Sequence, residues 1–141
     1  MKLYLGGKMC DVPGFGFKAF DDAAFNIRGM GHVVFNPAER DRDTGFTPHH
    51  SASTLAYLKK VGFDRRAALW ADLNWIMTQS EGMVALENWP NSPGTRAEIA
   101  AHQSIFLPVW EYLDFMELGI EAPTLNPLLP GGKNGVLAAT L

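Results

Sequence analysis

The chain has 141 residues, of which 47% are hydrophobic and 19% are charged. This balance is typical of one globular domain, and it excludes a disordered or low-complexity protein. The 12 basic and 15 acidic residues give a net charge of −3, so the chain offers no broad cationic surface to a nucleic-acid backbone. No stretch approaches the roughly 20 apolar residues needed to cross a bilayer. We therefore expect neither a nucleic-acid polymer nor a membrane as a partner.

The cysteine count and the N-terminus bear on the compartment. The single cysteine, Cys10, cannot form an internal disulfide. The first residues, MKLYLGGK, lack the apolar run of a signal peptide. Together these features predict a cytoplasmic protein. Cys10 is disfavoured as a nucleophile, because the sequence positions no histidine to activate it.

The first part of the chain predicts two strands joined by a helix. Residues 2–5 are β-prone and end at a pair of glycines, as a buried strand entering a tight loop would. From Phe17 onward apolar residues recur at helical spacing, and glycines follow at 29–31 as a helix stop. Residues 32–35 predict a second strand, which an Asn-Pro pair ends. Two strands joined in this way are expected to be parallel.

The middle of the chain interrupts this pattern. Residues 38–64 are charged and rich in turn formers, with a short helix predicted around 54–60, so we interpret the segment as a loop or lid insert. Periodicity then returns and predicts, in order, a helix over 65–78, a strand over 83–86, a helix over 95–104 and a strand over 106–110.

This order of elements predicts an α/β fold, an open parallel sheet of the flavodoxin-like or Rossmann-like kind with helices on both faces. We assign the domain to residues 1–113. The tail 114–141 is rich in proline and glycine, so we expect a C-terminal arm that is wrapped or partly disordered. Ligands of such sheets bind beyond the carboxyl ends of the strands. The site is therefore expected at the loops 6–10, 36–39 and 87–98.

The third of these loops carries the densest set of polar groups. Ser92 and Thr95 flank a Pro-Gly pair, and Glu98 follows one turn inside a predicted helix. Backbone N–H groups at the helix start, together with the two hydroxyls, make an anion site suited to one phosphate. The alternative is structural: Ser92 or Thr95 caps the helix, and Glu98 completes a capping box. Spacing alone leaves both interpretations open.

Three motifs resemble those of the nucleoside 2-deoxyribosyltransferase superfamily. In chain order they are Tyr4-Leu5-Gly6-Gly7, Asp72-Leu73-Asn74 and Ser92-Pro93-Gly94-Thr95-Arg96-Ala97-Glu98. The run Phe35-Asn36-Pro37-Ala38-Glu39 and the aromatic Trp89 extend the likeness to small phage-borne members of that superfamily. The resemblance covers roughly residues 1–110, and the third motif is its most specific part.

The resemblance implies catalytic roles for three side chains. A glutamate at the position of Glu98 is the nucleophile in the superfamily and attacks the anomeric carbon C1′, while Tyr4 would orient it and Asp72 would serve the base. Cleaving an N-glycosidic bond builds oxocarbenium character on the sugar, which a fixed carboxylate stabilises before forming a glycosyl ester. From the residues alone, structural roles fit as well: Tyr4 is an ordinary core aromatic of a strand, and Asp72 is an ordinary solvated or capping carboxylate of a helix.

The residue at position 92 bears on the substrate. The base-exchanging enzymes resemble one another in a carboxylate six residues before the nucleophile, where this chain has Ser92. A hydroxyl at a helix N-terminus can donate to a 5′-phosphate, which a carboxylate would repel. The resemblance thus implies a nucleoside 5′-monophosphate N-glycosidase that releases free base and (deoxy)ribose 5-phosphate. The alternatives are a deoxyribosyltransferase and a non-catalytic nucleotide-binding or sensing module.

The remaining expectations concern the substrate contacts and the partners. Lys8 would supply a cation for the phosphate, and the candidates to stack on the base are Met9, Cys10, Phe46 and Trp89, although each is also ordinary as a surface or packing residue. No metal is expected, because no HExxH or cysteine-rich spacing occurs. No cofactor is expected either, because the carboxylate and backbone amides can supply all the charge stabilisation. The resemblance also implies a homodimer or higher homo-oligomer, in the host cytoplasm if the chain is phage-encoded. The expected substrate-binding residues are Gly6, Gly7, Lys8, Met9, Asn36, Trp89, Ser92, Gly94 and Thr95.

Overall fold

Four parallel strands form one open sheet in the computed structural model, which describes residues 1–129 and 131–134. Their order across the sheet is β2-β1-β3-β4, so β1 pairs with both β2 and β3. The predicted α/β fold is therefore confirmed. The strands are β1 (Lys2–Gly6), β2 (Val33–Phe35), β3 (Gly82–Ala85) and β4 (Val109–Glu111).

Six α-helices accompany the sheet within the described residues. None of them is both long and apolar enough to span a membrane. In chain order they are α1 (Phe17–Gly29), α2 (Pro37–Asp43), α3 (Leu55–Lys60), α4 (Arg65–Gln79), α5 (Pro93–Ser104) and α6 (Tyr112–Leu118).

Alternating side chains of the strands bury two apolar clusters on opposite faces of the sheet. On β1, Leu3 and Leu5 belong to the cluster that α1 and α6 complete, whereas Tyr4 belongs to the cluster of α4 and α5. Ile76 on α4 and Ile99 on α5 pack into that second cluster. Helices thus cover both faces, and α4 and α5 lie on the same face as the Tyr4 ring.

The segment 38–64, predicted as a loop or lid, contains the helices α2 and α3. Asn36 starts α2 because its side-chain oxygen accepts a hydrogen bond from the Ala38 N–H at 2.9 Å, and Pro37 fills the first helical turn. The charged run ERDRD carries no apolar periodicity, so the pattern did not reveal this helix. The predicted helix around 54–60 is confirmed as α3.

The end of the domain differs slightly from the prediction. β4 begins at Val109 rather than at residue 106. Phe106 takes a φ of 60° and is 95% exposed, so it lies in a turn between α5 and β4. Thr124 of the predicted arm bridges to Trp110 of β4 at the edge of the sheet, and Leu125 bridges to Lys133 within the arm. The arm from residue 135 onward lies outside the described residues.

Candidate functional site

A cavity of about 660 Å³ opens at the carboxyl edge of the sheet. The loop after β1 and the start of α5 form one side of it, and α2, α3 and α4 contribute the other. Its polar lining consists mainly of Lys8, Arg40, Asp41, Asp72, Ser92, Thr95 and Glu98, and its apolar lining includes Met9, Phe15, Phe46, Leu55, Leu58 and Phe63. The cavity therefore lies where open parallel sheets bind ligands.

Glu98 is held at the cavity wall by Tyr4. The Tyr4 hydroxyl donates a hydrogen bond to Glu98 Oε2. The Tyr4 ring is fully buried on β1 and stacks on Phe35 with 5.5 Å between the ring centroids. Because the ring is fixed by the sheet, the hydroxyl limits the positions open to the carboxyl group. The contact brings together two side chains that lie 94 positions apart in the sequence.

The structure tests the structural interpretation of the polar residues at the start of α5. Ser92 is the N-cap, since its Oγ accepts a hydrogen bond from the Thr95 N–H at 3.2 Å. The Thr95 hydroxyl also donates to Ser92 Oγ at 2.9 Å. The capping role of Ser92 is confirmed, but a capping-box role for Glu98 is wrong, because its carboxyl group binds Tyr4 instead. Ser92 and Thr95, together with Gly94, also line the cavity.

Three carboxyl groups with raised pKa values line the cavity. Burial raises the pKa of Asp41 on α2 to about 6, against the lowering effect of Arg40. Burial raises the pKa of Glu98 to about 8; the Tyr4 hydrogen bond lowers it and the charge of Asp72 raises it. Burial likewise raises the pKa of Asp72 on α4 to about 7, against the lowering effect of Arg40. Burial also raises the pKa of Tyr4, and the nearby Glu98 and Asp72 raise it further. Coupled acids with pKa values near neutrality are typical of sites that perform acid–base chemistry.

The loop after β1 is tied to the loop after β3. The Lys8 backbone N–H donates to Asn88 Oδ1 at 3.0 Å. A Cβ on Gly7 would lie only 2.9 Å from Leu86 Cβ, so the close approach of the two loops needs glycine at this position. Gly7, Lys8 and Met9 all line the cavity, as predicted. Sequence analysis missed Asn88, although its place in a turn after β3 was a signal.

Three of the predicted substrate-binding residues do not line the cavity. Asn36 is buried and caps α2. Gly6 lies beneath Thr95, because a Cβ there would come within 3.3 Å of Thr95 Cγ2 and closer still to the end of Met83. Trp89 packs against the apolar cluster of α4 and α5. These three residues therefore lie outside the lining of the cavity.

Several residues of the insert line the cavity, and of those described in this paragraph only Phe46 was a candidate from the sequence. Arg40 and Asp41 come from α2, and their side chains are 19% and 5% exposed. Phe46 and Phe63 pack together with 4.5 Å between their ring centroids, and both line the apolar part. Within residues 1–129 and 131–134, no group of three or more His, Cys, Asp or Glu side chains is placed to hold a metal ion.

Comparison with known proteins gave one match. The model of a family described as a domain of unknown function, DUF4406, matches residues 1–111. Neither the curated proteins nor the solved structures include a match to the chain. The matched stretch runs from β1 to the end of β4 and so includes Tyr4, Asp72 and Glu98.

Proposed function

The chain belongs to the DUF4406 family, and we propose that it hydrolyses the N-glycosidic bond of a (2′-deoxy)nucleoside 5′-monophosphate. The products are free base and (deoxy)ribose 5-phosphate. The observation that carries the proposal is the buried Tyr4–Glu98 contact beside Asp72 at the wall of the cavity. The likeness of the three motifs to the nucleoside 2-deoxyribosyltransferase superfamily supports the same chemistry.

The reaction follows from two carboxyl groups in different protonation states. The Glu98 carboxylate attacks C1′, the C1′–N bond breaks, and the leaving base takes its electron pair and a proton from Asp72. Water then attacks C1′ of the glycosyl ester. The ionised Asp72 takes a proton from this water, and Glu98 departs as a carboxylate. Both carboxyl groups are thereby returned to their starting states.

The raised pKa of Glu98 has a consequence for this scheme. With a pKa of about 8, Glu98 is ionised in roughly a tenth of the ligand-free protein molecules at pH 7. The developing positive charge on the sugar stabilises the ionised form. The interaction is therefore stronger in the transition state than in the free protein, which is the condition for catalysis.

The start of α5 is the proposed phosphate site. The first N–H groups of a helix have no partner within the helix and carry partial positive charge. In α5, Pro93 has no N–H and Ser92 accepts from the N–H groups of Thr95 and Arg96, so the Gly94 N–H is the group available to a phosphate in the described part of the chain. Ser92, Gly94 and Thr95 present this helix start to the cavity, and Lys8 lines the same cavity from the loop after β1. A phosphate held there places its sugar toward Glu98, which lies one turn further along α5.

The direct test is a panel of nucleosides and their 5′-monophosphates, with free base measured by chromatography. Base released from monophosphates alone supports the proposal. Exchange of one base for another would instead identify a transferase, and binding without product would identify a sensing module. Either of these results contradicts hydrolysis.

Ser92→Asp is expected to shift the preference away from phosphorylated substrates. Aspartate is as good an N-cap as serine, so the helix start is retained. Two unit charges 4 Å apart at an effective dielectric constant of 20 interact by about 4 kcal/mol, so kcat/KM for monophosphates should fall at least a hundredfold. Ser92→Asn, a neutral N-cap, is the matched control and should lose much less. An unchanged preference in Ser92→Asp contradicts the phosphate assignment.

A further inference from the structure

A row of polar side chains leads from Glu98 into the insert. The Tyr4 hydroxyl donates to Glu98, and Tyr4 also lowers the pKa of Asp72. Beyond Asp72 lies Arg40 of α2, whose Nη2 is 3.8 Å from Asp72 Oδ1 and 2.5 Å from Asp41 Oδ1. One guanidinium group thus faces two carboxyl groups.

The hydrogen bonding of this row is incomplete. Arg40 Nε, Asp41 Oδ1 and Asp72 Oδ1 are buried and have no hydrogen-bond partner in the described part of the chain. The Arg40 contacts are therefore close charge contacts rather than well-directed hydrogen bonds. A cluster that serves stability alone is expected to satisfy its buried polar atoms. Charge, rather than hydrogen-bond geometry, is what Arg40 supplies to Asp72.

We propose that Arg40 is a positioning residue that determines which of the two carboxyl groups, Asp72 or Glu98, carries a proton in the free protein. Its positive charge favours the ionised form of Asp72, so the proton resides on Glu98. Asp41 counteracts Arg40 by pairing with the same guanidinium group. The inference rests on the proposed function only for its catalytic meaning, since the proton must reach Asp72 before the base can leave.

The charged surroundings of Asp72 support this assignment. Arg40 and Asp41 face it from α2, Tyr4 from β1 and Glu98 from α5. On its own helix, Arg65 lies two turns earlier and lines the same cavity. The other titratable side chains of the cavity lining are Lys8, Cys10 and Asp11. Arg40 is the cation within 4 Å of Asp72 among the described ion pairs.

The expected directions follow from the charges. Arg40 lowers the pKa of Asp72 and Asp41 raises it. Without Arg40, Asp72 holds its proton to higher pH. A neutral Asp72 no longer raises the pKa of Glu98, so Glu98 ionises at lower pH. Without Asp41, the full charge of Arg40 acts on Asp72. Asp72 then loses its proton at lower pH, and Glu98 ionises at higher pH.

Carbon-detected NMR titration of the side-chain carboxyl groups tests this in the full chain without any ligand. Signals are assigned by comparison with Asp72→Asn and Glu98→Gln. In Arg40→Gln, the midpoint of Asp72 should rise by roughly one pH unit and that of Glu98 should fall. In Asp41→Asn, the Asp72 midpoint should fall. Opposite shifts from neighbouring substitutions would not arise from a loosened structure.

The matched control is Arg42→Gln on the same helix. Arg42 pairs with Asp21 of α1 at 2.8 Å rather than with either site carboxyl group, so the midpoints of Asp72 and Glu98 should stay unchanged. If Arg40→Gln does not fold, the double variant Arg40→Gln/Asp41→Asn removes both partners. It should still raise the Asp72 midpoint, by less, because Arg40 has the larger effect on Asp72.

Midpoints that coincide with those of the wild type in the folded variant overturn the inference. The titration tests the inference independently of the proposed function, because it needs no turnover. Shifted midpoints in a protein that releases no base support the inference and contradict the proposed function. Base release by a protein whose midpoints do not shift supports the proposed function and contradicts the inference on Arg40.

Discussion

Glu98→Gln is expected to lower base release from nucleoside monophosphates at least a thousandfold, which corresponds to roughly 4 kcal/mol of transition-state stabilisation. Glutamine keeps the shape of the side chain and an oxygen that can accept the Tyr4 hydrogen bond. It carries no negative charge for the oxocarbenium-like sugar, and its amide cannot form the glycosyl ester. Chromatography of free base measures the loss.

Ligand binding should survive the same substitution. The proposed phosphate contacts lie at the start of α5, one turn before Glu98. Thermal unfolding with and without a monophosphate should therefore show a ligand-induced rise in Tm for Glu98→Gln comparable to that of the wild type. Glu117→Gln on α6 is the control, because Glu117 is exposed and should not affect turnover. Wild-type turnover in Glu98→Gln would remove Glu98 from its role as the nucleophile.

The second large effect concerns folding stability and pH. The pKa of Glu98 is about 8 in the folded chain against an ordinary value of 4.5. Between these two pH values the folded chain holds a proton that the unfolded chain has released. Raising the pH therefore favours unfolding throughout this window, and the loss is complete above about pH 8.

Glu98→Gln should abolish this loss, because an amide does not titrate. We expect the variant and the wild type to have similar free energies of unfolding near pH 4.5. As the pH rises, the free energy of unfolding of the variant should increasingly exceed that of the wild type. The difference should reach several kcal/mol at pH 8.5, with an upper limit of roughly 5 kcal/mol. Urea unfolding at a series of pH values measures the difference. Stability curves of the two proteins that run parallel over this pH range would show that Glu98 ionises normally.

The meeting of Tyr4 and Glu98 could be predicted because topology makes it nearly unavoidable. β1 pairs directly with β3, and α5 follows β3. The side chains of β1 on one face therefore lie beneath the first turns of α5. The hydrophobic periodicity of the strands and helices carried enough information for this arrangement, and the motif resemblance supplied the roles.

The contribution of α2 could not be predicted from periodicity. Its sequence is PAERDRD, and ion pairs rather than an apolar stripe connect it to its neighbours. Arg28 of α1 pairs with Glu39 at 2.6 Å, and Arg42 pairs with Asp21 at 2.8 Å. Hydrophobic patterning detects helices through the face they bury. The Asn36-Pro37 capping signal was present, but it also fits the end of a strand.

The side-chain directions of Asn36 and Trp89 could not be predicted from the sequence. Both follow strands that end at the carboxyl edge, so their positions predicted a site role. Which way a loop side chain points depends on local hydrogen bonding and packing. Asn36 turns inward to cap α2, and Trp89 turns toward the apolar cluster. Proximity in the chain to the correct edge was therefore necessary but not sufficient.

Part of the apolar wall of the cavity comes from a different stretch of chain than the proposed reacting groups. Tyr4, Asp72 and Glu98 lie on β1, α4 and α5, whereas Phe46, Leu55 and Phe63 belong to the insert. Under the proposed function, the insert supplies part of the surface that the leaving base contacts, and the proposed nucleophile and acid lie outside the insert. Substitutions at Phe46, Leu55 and Phe63 would then change which nucleobase is accepted and leave Tyr4, Asp72 and Glu98 untouched.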